Sequence, residues 1–314
     1  MMKMKITKAL ALILLSALPA CGASIPLPDK SNDKTLQAML AETLPKFQQM
    51  TYKEKNFQLP CNVFLPDGYP DEQSYPLLVF IADGSVIGKG VDAPLRQGYG
   101  GIIWATEEEQ AKRKCIVVVP QYPELILDDK GSYTITDYVN HTGNLIRALI
   151  AGFKTDPDRV YVTGQSMGCM TFLLLAARNP DLFAAEIFVS GQWDIRELMN
   201  LKYQKFFYIT AEGDQKAANG QKALMKLFKD NHFPFSSAAG WDAKMSKEDY
   251  TKAMNTILMG NPSASFIQFR LGTVLDEGLP VGTPEHMFSF DYAYKIDALR
   301  DWLFRQNRRD KRTR

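Results

Sequence analysis

Asp156-Pro157-Asp158-Arg159-Val160-Tyr161-Val162-Thr163-Gly164-Gln165-Ser166-Met167-Gly168, running on through Cys169 to Arg178 and stopped by Asn179-Pro180, is the stretch that decides the fold. Arg159 to Thr163 is β-branched and aromatic, so it reads as a short strand. Met167 to Arg178 is a continuous apolar run of helical length, and the residue before Pro180 is driven out of the helical region. Between strand and helix, Gly164 to Gly168 spells G-x-S-x-G. That context turns the pentapeptide into a sharp turn presenting a nucleophilic serine, Ser166. A turn this tight strains the backbone and brings neighbouring chain close, so the residues two before and two after must be small. The helix behind it aims its first N–H groups at the serine, where an anion would be stabilised. Alone, the five residues also describe an ordinary Gly-rich turn between a strand and a core helix.

On a strand–turn–helix of this kind the partners follow in chain order, serine, then acid, then histidine. The chain has three histidines. His141 precedes the serine inside the helical-looking stretch 135–150, and His232 sits where a helix ends before Pro234. His286 follows the last strand candidate and precedes a final helix, roughly Phe290 to Arg305. It is therefore assigned as the base. For the acid, Phe206 to Ala211 reads as a buried strand, and Asp214 follows at its carboxyl end, where open α/β sheets place functional groups. Asp214 also suits the N-cap of the helix beginning near Gln215. Glu212, Asp194 and Asp276 compete with it.

The strand candidates in order are Tyr52 to Gln58 with Cys61 to Leu65 as an opening antiparallel pair, then Leu77 to Ala82, Ile116 to Pro120, Val160 to Thr163, Glu186 to Ser190, Phe206 to Ala211 and Phe266 to Leu271. Helical stretches separate most of them. This alternation predicts an α/β fold, a mostly parallel eight-stranded sheet with helices on both faces. Ser246-Lys247-Glu248-Asp249 resembles a capping box opening a helix over Tyr250 to Met259. It is read as a crossover helix, since parallel neighbours need one.

An acyl-transfer site needs two donors for the oxyanion. One is the N–H of Met167, directly after the nucleophile. The other falls in Asp83-Gly84-Ser85, after the third strand, with Gly84 and Asp83 as the candidates. Gln165, Trp193 and Tyr122 are the candidate substrate-binding residues. Tyr99, Trp104 and Trp241 are further aromatics of cleft-edge loops, and each equally suits packing.

The 314 residues carry a net charge of +2, with 46% hydrophobic and 23% charged. That balance fits a globular protein with a sizeable core and implies no nucleic-acid partner. At the N-terminus, Lys3, Lys5 and Lys8 precede an apolar run of twelve, Ala9 to Ala20. The run is short for a bilayer span and reads as an export signal over residues 1–21. Leu18-Pro19-Ala20-Cys21 resembles a lipoprotein box with Cys21 as the lipidated residue; ordinary cleavage near Ala20 or Ala23 is the alternative. The expected division is a signal (1–21), a tether (22–45), an α/β domain (46–306) and a basic, solvated tail (307–314). The location expected is periplasmic or cell-surface. Cys115 and Cys169 read as small buried hydrophobes, and no motif calls for a metal or other cofactor.

With these residues placed, the chain resembles the α/β-hydrolase superfamily. More narrowly, it is similar to the predicted-peptidase and polyhydroxybutyrate-depolymerase-like, feruloyl-esterase-like serine esterases, over roughly Tyr52 to Phe304. The specific part is the lead from Asp156-Pro157-Asp158-Arg159-Val160-Tyr161 into Gly164-Gln165-Ser166-Met167-Gly168, then Ala211-Glu212-Gly213-Asp214, then the late His286. That group carries His-Gly after its third strand, whereas this chain has Ala82-Asp83-Gly84-Ser85. The resemblance implies a serine hydrolase with Ser166, Asp214 and His286 as its triad, acting on a small-molecule or carbohydrate-linked ester. A peptide substrate is the alternative, and a binding lipoprotein that kept the fold without the chemistry is the rival from another class.

Overall fold

The computed structural model describes residues 27–71, 73–280 and 282–311, and within them the Val160–Thr163 run lies inside a nine-stranded sheet. The strands are β1 (Gln48–Glu54), β2 (Phe57–Phe64), β3 (Tyr75–Ile81), β4 (Ile116–Pro120), β5 (Leu127–Asp128), β6 (Thr134–Ile135), β7 (Thr155–Gln165), β8 (Ala185–Val189), β9 (Phe206–Ala211), β10 (Phe235–Trp241) and β11 (Ala264–Phe269). β5 and β6 pair only with each other, as a small antiparallel ribbon. The other nine run in the order β1-β2-β4-β3-β7-β8-β9-β11-β10. β1 and β2 are antiparallel to their neighbours, and every pair from β4 to β10 is parallel. This is the α/β-hydrolase fold, with nine strands in the main sheet where the sequence reading counted eight.

The helices are α1 (Lys34–Thr43), α2 (Ala93–Arg96), α3 (Tyr99–Ile102), α4 (Glu107–Lys112), α5 (Tyr138–Gly152), α6 (Met167–Arg178), α7 (Gln215–Asp230), α8 (Lys247–Ile257), α9 (His286–Lys295) and α10 (Asp297–Phe304). Side chains alternate faces along a strand, and here both faces are covered. Leu77, Val79, Ile81, Val160 and Val162 pack against α5, α6 and α7 on one side. Leu78, Phe80, Val117, Ile187 and Phe207 pack against α1, α3, α9 and α10 on the other. Helix α6 is apolar all round because it is buried all round: only Arg178 of its residues is exposed. Burying side chains such as Phe172 or Leu173 contributes about 1.5–3 kcal/mol each.

Successive parallel strands step one way from β3 to β4 and the other way from β7 to β8, so the order reverses between β3 and β7. A crevice opens at such a reversal beyond the strands' carboxyl ends. The elbow after β7 and the Asp83–Ser85 loop after β3 flank it.

Four expectations change. The opening hairpin turns at Lys55-Asn56, with Lys55 at φ +52°, so Pro60 lies within β2 rather than between strands. The final helix is two helices, α9 and α10, broken at Ile296. The segment expected as a tether through residue 45 contains α1, docked through a fully buried Leu36. Asp33 caps α1 by accepting from Leu36 N at 2.9 Å, and Lys30 pairs with Asp291 at 2.7 Å. Nor is the C-terminal end merely solvated: Arg308 and Arg309 both pair with the nearly buried Asp158. The export signal and Cys21 lie outside the described residues.

Candidate active site

Ser166 sits at φ +50° and ψ −114°, between the last residue of β7 and the first of α6. A non-glycine residue is costly there, and it persists only where the surroundings hold it. The surroundings are two glycines. A Cβ at Gly164 would come 2.5 Å from the carbonyl carbon of Gly168, and one at Gly168 would overlap the Ile81 carbonyl of β3. Gly191 is closed in the same way by the Ser166 carbonyl oxygen, 2.5 Å from where its Cβ would be. The elbow therefore exists because α6 can lie directly on β3 and β7 with no side chain between.

His286 begins α9, and Asp214 ends the turn after β9. Ser166 Oγ lies 2.8 Å from His286 Nε2, and His286 Nδ1 lies 2.7 Å from Asp214 Oδ2. An ionised carboxylate only accepts, so Nδ1 carries the proton and Nε2 is free to accept from the serine hydroxyl. Asp214 is 4% exposed. Its second oxygen accepts from Ala217 N at 3.4 Å, capping α7. One oxygen of Asp214 thus engages the His286 ring and the other the start of α7. Burial works against a charge on His286, but the bond to Asp214 and the charges of Asp214, Asp83 and Asp129 outweigh it and raise its pKa.

The rival acids are placed elsewhere. Glu212 accepts from Leu271 N at 3.1 Å, Asp194 pairs with Arg196, and Asp276 is exposed on a turn. His141 stacks on Phe57 with ring centroids 3.7 Å apart and bonds Glu54 at 2.9 Å. His232 stands at φ +57° in the turn after α7.

Met167 opens α6, so its N–H has no acceptor within that helix. Asp83 is buried, accepts from Ser85 N at 2.7 Å and caps the short turn Gly84–Val86. Its other oxygen accepts from Gln165 Nε2 at 3.1 Å. Gln165 also donates to Gln97, whose amide reaches Ser85 Oγ. So Gln165, a candidate substrate contact, instead ties the elbow to the Asp83 loop from a buried position. Tyr122 is likewise buried, its hydroxyl 2.8 Å from Thr142 Oγ1. Trp193 is buried edge-on to Tyr133, its Nε1–H without an acceptor among the described residues. Tyr99, Trp104 and Trp241 are buried too.

A cleft of about 490 Å³ opens over Ser166 and His286. Met170 and Pro284 make its apolar wall, and Asp129, Gln192, Gln215 and Lys216 its polar wall. Asp129, in the loop joining β5 to β6, accepts from Gln192 and pairs with Lys216 at 2.6 Å. None of Asp129, Gln192, Lys216 or the buried Glu285 was singled out from sequence. Lys216 lies in the first turn after Asp214, and Glu285 precedes His286, so adjacency alone pointed to both. Among the described residues, no group of three or more His, Cys, Asp or Glu side chains could hold a metal ion. Cys61 and Cys115 are buried thiols pushed up to about 12 by that burial, and Cys169 is raised for the same reason.

A family model described as Putative esterase matches residues 53–231. A curated relative, named Probable acetylxylan esterase A, from Aspergillus clavatus, is 40% identical over 52 residues, which is 17% of this chain and 17% of the relative. Among solved structures, a thermostable esterase superposes with a TM-score of 0.66 at 21% identity, covering 84% of this chain and 64% of its own. The feruloyl esterase module from Clostridium thermocellum, solved with sinapinate, gives 0.53 at 15% identity, covering 81% and 86%. The chain thus spans less than two thirds of both the curated relative and the thermostable esterase.

Proposed function

This chain belongs to the Putative esterase family, and from that premise we propose that it is a serine hydrolase cleaving carboxylic esters through an acyl-enzyme on Ser166. The observation that carries the reading is the unbroken line from Ser166 Oγ through His286 to Asp214, at 2.8 and 2.7 Å, at the floor of an open cleft. In this reading Ser166 attacks the ester carbonyl carbon as His286 Nε2 takes the hydroxyl proton. Asp214 holds the ring and stabilises the imidazolium. The N–H of Met167, at the positive end of α6, and a backbone donor from the Asp83–Ser85 turn stabilise the oxyanion. His286 then protonates the leaving alcohol, and a water activated by the same nitrogen releases the acid. The carboxylate of Asp83 is held by Ser85 N and Gln165 Nε2.

A small or carbohydrate-linked ester is the proposed substrate, in keeping with a cleft that has both an apolar and a polar wall and with the names of the esterases this chain is similar to. Export, with Cys21 as a lipid anchor, is proposed from residues 1–21 alone. Labelled palmitate carried by the expressed chain and lost in Cys21→Ala would support it.

The test of the reaction is steady-state hydrolysis of short-chain p-nitrophenyl esters. Ser166→Ala and His286→Ala are each expected to lower kcat by at least ~10³-fold. Equal activity in parent and mutants would discard the assignment. A parent that cleaves peptides and spares esters would make it a peptidase, and stoichiometric binding without turnover would make it a binding protein.

A further inference from the structure

We infer that Glu285 is a positioning residue that locks the loop bearing the base to the loop bearing the acid; this rests on the serine-hydrolase reading above. Glu285 is completely buried and directly precedes His286. One of its carboxylate oxygens accepts from Gly213 N at 2.8 Å, and the other accepts from Gly272 N. Gly213 directly precedes Asp214. Gly272, at φ +82°, lies in the turn that leaves β11. A single carboxylate therefore joins three chain segments at the sheet's carboxyl edge, and two of them carry His286 and Asp214.

The surroundings are shaped for this contact. A Cβ at Gly213 would lie 2.5 Å from Glu285 Cδ, so the glycine leaves the space that the carboxylate fills. Among the described residues no cation is bonded to Glu285. The charged groups facing it are Glu212 and Asp214, and burial together with their repulsion raises its own pKa against the two N–H bonds. An ion pair does not explain a carboxylate held among carboxylates. Two backbone donors do, and that of the half-buried Gly213 would otherwise be left without a partner. Glu285 does not touch Ser166. It acts on where Asp214 stands relative to His286, and a displacement of about 1 Å in such a constellation costs about 10²-fold in rate.

The experiment compares Glu285→Gln, Glu285→Ala and Gly213→Ala with the parent. Gln removes the charge and keeps one acceptor for the glycine donors. Ala removes both charge and acceptors. Gly213→Ala keeps the carboxylate and forces it out of place. Two readouts are taken: kcat and KM on a p-nitrophenyl ester, and the NMR titration of His286, its signal identified by loss in His286→Ala. Glu285→Ala and Gly213→Ala are expected to lose about 10²-fold in kcat with KM within about threefold, while Glu285→Gln stays within about tenfold of the parent. The His286 pKa should fall further in Ala than in Gln, because Gln controls for the lost charge. Glu285→Ala and Glu285→Gln that titrate and turn over alike would overturn the inference. If the parent hydrolyses no ester, the ester reading fails, yet the titration still decides about Glu285. If Glu285→Ala does not fold, the same two readouts on Gly213→Ala decide it: parent-like values overturn the inference, and lowered ones support it.

Discussion

His286 faces three carboxylates, and that sets how the site titrates. Asp214 is bonded to it, and the charges of Asp83 and Asp129 add to the pull against the cost of burial. The raised pKa has two opposite consequences. In the proposed mechanism the base must be neutral to accept the Ser166 proton, so activity is expected to be lost as pH falls through the folded-state value. The acid limb of kcat/KM is thus expected above the ordinary histidine value of about 6.5. Stability runs the other way. The imidazolium's favourable interactions are fully present below the unfolded pKa and vanish as pH rises through the folded one. Asp83→Asn keeps an acceptor for Ser85 N and removes one charge, so its acid limb should move down. A pH–rate profile reads this directly, and a limb that stays in place would mean that Asp83's charge is not felt at the base.

At the scale of elements, the elbow is a close approach of backbones. Gly168 lies where α6 crosses β3, and a methyl there meets the fixed Ile81 carbonyl. Gly168→Ala should cost about 1–3 kcal/mol and lower Tm by roughly 2–10 °C, with activity falling too as Ser166 is displaced. Thermal unfolding followed beside turnover checks this, and an unchanged Tm would mean that the helix shifts freely on the sheet. Elements with strong local signals were legible: β4, β9 and α6 occupy the spans their apolar runs marked. β10 was not legible, because Phe235-Ser236-Ser237-Ala238-Ala239-Gly240-Trp241 has no continuous apolar run. As an edge strand it buries little, and its place beside β11 comes from the sheet. The hairpin was misregistered because Pro60 reads as a breaker. Within β2 it spends no donor, and its carbonyl still accepts from Gln121 N at 2.9 Å.

Across the whole molecule, the fold reaches further along the chain than its motifs do. Leu36 of α1 is fully buried, Lys30 is paired with Asp291 of α9, and the Tyr99 hydroxyl donates to Asp33 at 3.1 Å. Leu36→Ala should therefore cost about 2–5 kcal/mol. A chain beginning at residue 47 should melt well below one beginning at residue 28, and equal melting temperatures would show α1 to be dispensable. Residues 22–45 were expected as a tether with a polar stretch to about Lys34, yet Leu36, Met39, Leu40 and Leu44 beyond it fall at the spacing of one helix face. Helix α1 becomes apolar only in the sense that a few of its residues meet a surface that α3 and α9 create.

What the sequence by itself determined was whatever depends on neighbours along the chain. The strand–turn–helix around Ser166 and the parallel α/β class follow from local conformation and from the period of apolar residues, and the chain order Ser166, Asp214, His286 proposed for the site is read along the same sequence. Tertiary structure alone decided which side chains face the cleft. Gln165, Trp193 and Tyr122 turned inward and are buried, while Asp129, Gln192 and Lys216 met across three separate segments to form a wall. Such meetings depend on strand order and loop path. Every residue type involved is common in any surface loop, so no local pattern records them. Glu285 is the sharpest instance: beside His286 in the chain it is one more glutamate, and only the approach of Gly213 and Gly272 gives its carboxylate two donors to hold.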